Sequence, residues 1–147
     1  MSTPILSILK SKPERLIHVS PQDTVQDAVH VMNKHKIGCT IVLEDGALVG
    51  IFTERDILAR VVAGGLDPKT TLVRSVMTSP VRTVTPSTAI DEVMSLMFEK
   101  NIRHIPVIED SRVVSLISIG DVNRWMVQMH KAEAEALRNY VTGGFPA

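Results

Sequence analysis

Val19-Ser20-Pro21 is matched by Val84-Thr85-Pro86, and Ile41-Val42-Leu43-Glu44-Asp45 by Pro106-Val107-Ile108-Glu109-Asp110, both at one step of 65 residues, from 19 to 84. Held without a gap over Val19 to Leu58 and Val84 to Asn123, the step also pairs Met32 with Met97, Ile37 with Ile102, Val49 with Val114 and Asp56 with Asp121. Most remaining pairs keep their polarity, so the chain carries an internal repeat. One copy is too short to bury much apolar surface alone. Two copies packed face to face are therefore expected to share one core, and their junction to hold two related clefts.

The whole chain fits one compact unit, with 147 residues and 44% hydrophobic content. Lys plus Arg (16) equals Asp plus Glu (16), which argues against a broad basic field for nucleic acid phosphates. Apolar runs such as Ile41-Val42-Leu43 are too short to span a bilayer, and Ile5 to Leu9 is too short for a signal-peptide core. The single cysteine, Cys39, can form neither an intrachain disulfide nor a zinc cluster. A reducing cytoplasm is the expected compartment, with no membrane and no nucleic acid among the expected partners.

Val25, Ala28, Val29 and Met32 follow the spacing of one helix face, and Ile90, Val93, Met94 and Met97 reproduce it. After each helix come an apolar run (Thr40 to Leu43; Ile105 to Ile108), an acidic turn and a second run (Leu48 to Phe52; Val113 to Ile117). That order predicts a β-hairpin, with Gly46 supplying positive φ more readily than Ser111. A second helix is predicted to start near Glu54 and near Ile119. With a short extended segment before each Val-Ser/Thr-Pro, each copy reads strand, helix, strand, strand, helix.

Past the second copy the last helix is predicted to run on through Trp125, Met129, Ala136 and Leu137 to Tyr140 and to stop at Gly143-Gly144. Trp125, Met129 and Leu137 share a stripe expected to lie beyond the repeat core, which favours burial in a homodimer. Pro4 suits the first turn of a short helix bearing Ile5, Leu6 and Leu9, expected to pack on the repeat pair or on a dimer mate. The divisions expected are 1–15 for the lead-in, 16–66 and 81–128 for the repeats, 67–80 for the connector and 129–147 for the helical extension.

Gly50-Ile51-Phe52-Thr53-Glu54-Arg55-Asp56 and Ser115-Leu116-Ile117-Ser118-Ile119-Gly120-Asp121 occupy equivalent places. Each ends a strand on a hydroxyl and places an Asp three residues later at a helix start. The structural explanation is a capping box, as also expected for Thr24-Val25-Gln26-Asp27 and Thr88-Ala89-Ile90-Asp91. The functional one is recognition: a helix N-terminus suits an anion, and an ionised carboxylate accepts from two adjacent hydroxyls such as a ribose diol.

Gly50 to Leu58, Ser75-Val76-Met77-Thr78, Arg103-His104-Ile105-Pro106-Val107 and Leu116 to Val122 resemble stretches of tandem cystathionine-β-synthase (CBS) domains. The resemblance spans about Leu16 to Gln128. It implies an α/β fold of two repeats related by a pseudo-twofold axis, with clefts between them that bind adenosine-containing ligands: AMP, ADP, ATP, NAD or S-adenosylmethionine. It implies Thr53 and Asp56 for one cleft, and Ser118 and Asp121 for the other, each Asp holding the ribose. It further suggests Val84, Arg103 and His104 for the Asp56 cleft and Val19, Gly38 and Cys39 for the Asp121 cleft, each set drawn from the opposite repeat. On that assignment the Asp56 cleft prefers a phosphorylated ligand and the Asp121 cleft is more permissive.

No catalytic or metal-binding constellation is visible. His30 and His35 lie off a shared helix face, Cys39 has no local partner to activate it, and neither a GxxxxGK[ST] loop nor a GxGxxG run occurs. The expectation is a non-enzymatic, dimeric sensor that signals to a separate effector protein by conformational change. The competing expectation is a structural or interaction module whose Thr/Ser-x-x-Asp segments are only caps.

Overall fold

A computed structural model describes residues 3–13 and 15–143. Its elements are α1 (Leu6–Leu9), β1 (His18–Val19), α2 (Val25–His35), β2 (Cys39–Glu44), β3 (Ala47–Thr53), α3 (Glu54–Asp56), α4 (Val73–Val76), α5 (Ile90–Lys100), β4 (His104–Glu109), β5 (Arg112–Ser118) and α6 (Ile119–Arg138). Helix α3 continues as a π-helical stretch, Ile57–Val62, and α6 ends in another, Asn139–Gly143. The fold is mixed α/β, two repeats with a long C-terminal helix, as the sequence predicts. The second glycine of the predicted stop, Gly144, lies outside the described residues.

Strands β2 and β3 form an antiparallel hairpin with β1 parallel to β2, whereas β4 and β5 stand as a pair. The predicted first strand of the second repeat is reduced to one parallel bridge, Val84 to Val107. Proline explains the loss. Val84 donates to Pro106 O at 3.1 Å and Ile108 donates to Val84 O at 2.8 Å, but the next rung would need an N–H from Pro106. Ile41 fills that place in the first repeat, and His18 pairs opposite it.

Both hairpins turn on two residues of positive φ, Asp45 (51°) with Gly46 (81°) and Asp110 (52°) with Ser111 (63°). Ser111 thus adopts the left-handed conformation that glycine adopts more readily. In each hairpin the register shifts by one, between Val42 and Leu43 and between Val107 and Ile108, leaving Val49 and Val114 as the extra residues.

The single shared core expected from the sequence is replaced by two. Val19, Val25, Ala28, Met32, Val42, Phe52 and Val61 of the first repeat enclose Val73 and Val76 of α4. Val84, Ile90, Val93, Met97, Ile105, Val107, Ile117 and Val122 of the second enclose Ile5 and Ile8 of α1. Each short helix therefore precedes one repeat in sequence and completes the core of the other.

The backbone bonds confirm the equivalence. Val25 N donates to Thr71 O and Val73 N to Asp23 O, while Ile90 N donates to Thr3 O and Ile5 N to Thr88 O. This step runs from 5 to 73, three residues longer than the main repeat.

The two cores require each sheet to be covered on a second face. Ile41 and Ile51 are buried yet alternate with the inward-facing Val42 and Phe52, so they point to the opposite side. There β3 meets β5, and Arg55 of α3 donates to Asn101 O beyond α5 at 2.8 Å. Trp125, expected on an uncovered stripe, is instead half-buried against the second core together with Met126. Met129 and Leu137 remain exposed.

Candidate functional site

The sequence places Thr53 and Ser118 at strand ends and Asp56 and Asp121 one turn into the following helices, and the structure closes a capping box at each. Asp56 N donates to Thr53 Oγ1 at 3.2 Å and Thr53 N returns to Asp56 Oδ2 at 3.0 Å. Asp121 N donates to Ser118 Oγ at 3.1 Å and Ser118 N returns to Asp121 Oδ2 at 2.8 Å. Thr24 and Asp27 form the same box. The predicted Thr88–Asp91 box does not form: the cap residue of α5 is Ala89, and Thr88 Oγ1 accepts from Thr85 N at 3.0 Å. Asp23, its counterpart, likewise accepts from Ser20 N.

Among the described residues, Asp56 and Asp121 are the buried acids, 4% and 6% exposed. A cap needs only one carboxylate oxygen, and a carboxylate has capacity for about four hydrogen bonds. What occupies the rest differs between them. Asp56 Oδ1 accepts from the Thr78 hydroxyl at 2.8 Å and lies 3.8 Å from Arg60 Nε. Asp121 pairs with Lys12 at 2.7 Å and with Arg124 at 2.5 Å.

Thr78 and Lys12 fill one socket. Thr78 N also donates to the Ile51 carbonyl at 2.8 Å, and Lys12 Nζ donates to the matching Leu116 carbonyl at 2.5 Å. Gly50 makes room for the first arrangement, because a Cβ there would lie 2.4 Å from the Met77 sulfur.

The strand register sets each pair of flanking residues beside the aspartate of its own repeat. Cys39 pairs with Thr53 and His104 with Ser118; Glu54 N donates to Gly38 O and Ile119 N to Arg103 O. Gly38 and Cys39 therefore lie beside Asp56, and Arg103 and His104 beside Asp121. A parallel-plus-hairpin sheet keeps the start of its second strand next to the end of its third, and that end carries the hydroxyl. Val19 and Val84 pack in the cores of their own repeats.

The electrostatics follow from that placement. Burial favours the neutral form of Asp121, but the hydrogen bonds from Lys12 and Ser118 and the Lys12 charge outweigh it and hold the carboxyl below its ordinary range. Burial lowers the His104 imidazole against the opposing pull of Asp121; Lys12, Glu54 and Arg103 also act on it. Burial, then the Asp56 charge, pushes the Cys39 thiol up, which keeps it protonated and unreactive. The Glu54 carboxylate lies over Gly38, within 2.6 Å of where a Cβ would stand. The Asp56 side thus gathers two acids and Arg60, and the Asp121 side one acid with Lys12, Arg124, His104 and Arg103.

Lys12, Thr78, Glu54, Arg60 and Arg124 were not singled out as site residues by the sequence. Arg60 and Arg124 stand four and three residues after their aspartates, a spacing that announces helix ion pairs. Lys12 gives no such signal. Two open concavities, of about 690 and 550 Å³, lie at the hairpin turns, the first lined by residues including His18, Val19 and Gly46, and neither includes Asp56 or Asp121.

A model of the CBS domain family matches residues 1–63 and 73–128. The mitochondrial CBS domain-containing protein CBSX3 of Arabidopsis thaliana is 40% identical over 153 residues, covering 98% of this chain and 74% of the relative. A solved CBS-domain protein from Burkholderia ambifaria superposes with a TM-score of 0.83 at 38% identity, over 86% of this chain and 95% of that one. One from Agrobacterium tumefaciens gives 0.80 at 33%, over 84% and 99%.

The chain belongs to the CBS domain family. It is a tandem pair, a regulatory module similar to relatives that consist largely of such a pair. Among the described residues no helix is long and apolar enough to cross a membrane.

Proposed function

We propose that this chain is a non-catalytic sensor that binds adenosine-containing ligands in two clefts, one at Asp56 and one at Asp121, and passes the result to a separate protein. The observation that carries the reading is the pair of equivalent, nearly inaccessible carboxylates whose spare capacity is taken by groups a ligand can replace, Thr78 on one side and Lys12 with Arg124 on the other. A ribose diol supplies two adjacent O–H donors for such a carboxylate. Thr53 and Ser118 complete the two sites, with Gly38 and Cys39 flanking the first and Arg103 and His104 the second. Output follows from unequal affinity for two arrangements of the repeats.

Val127, Leu137 and Val141 expose apolar surface along α6 and its extension, which supports a homodimer; a monomeric mass at micromolar concentration would count against it. The intact capping boxes support the second reading, a structural module with no nucleotide. The buried free thiol of Cys39 suits a reducing compartment, the cytoplasm or an organelle of the kind in the Arabidopsis relative's name.

Thermal unfolding of ligand-stripped protein with AMP, ADP, ATP, NAD, NADP, S-adenosylmethionine and GTP tests the proposal. Adenosine ligands are expected to raise Tm and GTP not to, since a ligand at a hundred times its Kd adds about 2.7 kcal/mol. NAD should outperform NADP, whose 2′-phosphate meets a carboxylate. No shift with any ligand would leave the structural module.

A further inference from the structure

One socket, formed by a strand carbonyl and a buried aspartate, is closed in two chemically different ways. Thr78 closes the first with a hydroxyl on a short side chain whose main chain is fixed by a bridge to Ile51, so it can turn from Asp56 but not travel with a ligand. Lys12 closes the second with an ammonium at the tip of a flexible four-carbon stem, which can swing away while the backbone stays. Its side chain is 25% exposed and that of Arg124 is 70% exposed, whereas Asp121 is 5% exposed. The cations reach solvent and the carboxylate does not.

We propose that Lys12 is a tethered counter-ion that makes the Asp121 cleft selective for phosphorylated adenosine ligands. The inference rests on the adenosine reading of that cleft. The incoming ribose diol takes the carboxylate from Lys12, and the displaced ammonium passes to the phosphate, so the ion pair is exchanged rather than lost. An uncharged nucleoside evicts the ammonium and offers it nothing. S-adenosylmethionine brings a positive charge to a cleft that already holds Lys12 and Arg124. The Asp56 cleft holds Arg60 but also Glu54, and its socket is filled by a hydroxyl, so no ammonium is freed there to seek an anion.

The exchange also reports outward. Lys12 follows α1, whose Ile5 and Ile8 are set in the second core, and it anchors the chain between α1 and β1 to the Leu116 carbonyl. Binding of a phosphorylated ligand moves that anchor.

The test is calorimetric titration of AMP and of adenosine into Asp56→Asn protein, with Lys12 present and with Lys12→Ala. With Lys12, AMP is expected to bind at least about ten times more tightly than adenosine, the worth of one charged hydrogen bond. Lys12→Ala should tighten adenosine, weaken AMP and remove about that factor, and Lys12→Arg should keep it. Equal changes for both ligands would overturn the inference while leaving the adenosine reading standing. Failure of both ligands to bind any of these proteins would overturn both.

Tryptic cleavage after Arg15 provides a ligand-free readout. It should be faster in Lys12→Ala than in Lys12→Arg, and equal rates would remove the anchoring role.

Discussion

The first repeat closes its sheet with a third strand and holds its aspartate with a threonine; the second loses that strand to Pro106 and holds its aspartate with a lysine and an arginine. The backbone around the two carboxylates is nevertheless the same, down to the hairpin bulge and the capping box. What is preserved between the copies is the main-chain pairing of the hairpins and the cap made by a hydroxyl and a carboxylate. What has diverged is the charge of the side chains that reach the socket. On the proposed function, two sites of one geometry would in this way serve ligands of different charge.

The sharpest way to break the comparison is through the exchanged helices. Ile5→Ala is expected to cost about 3 kcal/mol, as for a buried large-to-small change, and to alter the fluorescence of Trp125, which packs on the core that Ile5 enters. Val73→Ala should also destabilise the protein but leave the initial Trp125 signal unchanged, because its core is the other one. Identical spectral effects of the two substitutions would contradict the division into two cores.

The aspartates come next. Asp121→Ala should cost about 2 kcal/mol, since it removes a cap and strands Lys12 beside a carbonyl, and Asp56→Ala about 1 kcal/mol, mainly the cap. Denaturant unfolding that ranked them the other way would show that the Lys12 pair adds nothing to stability.

The hairpins offer a smaller, two-sided check. Ser111→Gly should gain, and Gly46→Ser lose, about 1 kcal/mol, the cost of a side chain in the left-handed region. Equal and opposite shifts in Tm would sharpen the equivalence of the turns.

The smallest effect is on pH. The His104 imidazole is shifted down, so the unfolded chain takes up a proton at higher pH than the folded one, and stability is present above about pH 6.5 and lost as pH falls through the folded value. His104→Gln should flatten that part of the stability profile. Asp121, also shifted down, acts lower, with stability present above about pH 3.9 and lost further into acid. Cys39 has no counterpart effect in the first repeat at these pH values, because burial keeps its thiol neutral.

Much of this architecture is legible in the residues. Helix stripes such as Val25, Ala28 and Met32 and the hairpins around Asp45 and Asp110 are local patterns, and the step of 65 doubles each signal. Thr53, Asp56, Ser118 and Asp121 could be placed at helix starts for the same reason. The exchange of α1 and α4 could not be read, because their step differs by three residues and each helix has only one turn of pattern. Spacing does not reveal which strands pair, so the placing of Cys39 beside Thr53 and of His104 beside Ser118 is not legible in it. Lys12 was invisible: it lies in a segment without periodicity, and its partner Asp121 is over a hundred residues away.

The exchanged helices also impose an order on biosynthesis. Ile5 and Ile8 are made before every other member of their core, which is completed only when Val122 exists. The first repeat in turn waits for Val76 before it is whole. A chain emerging from the ribosome therefore closes its first repeat before its second and leaves α1 without its core until the second repeat has been made. A fragment cut between the repeats would deprive each half of a helix that the other half carries.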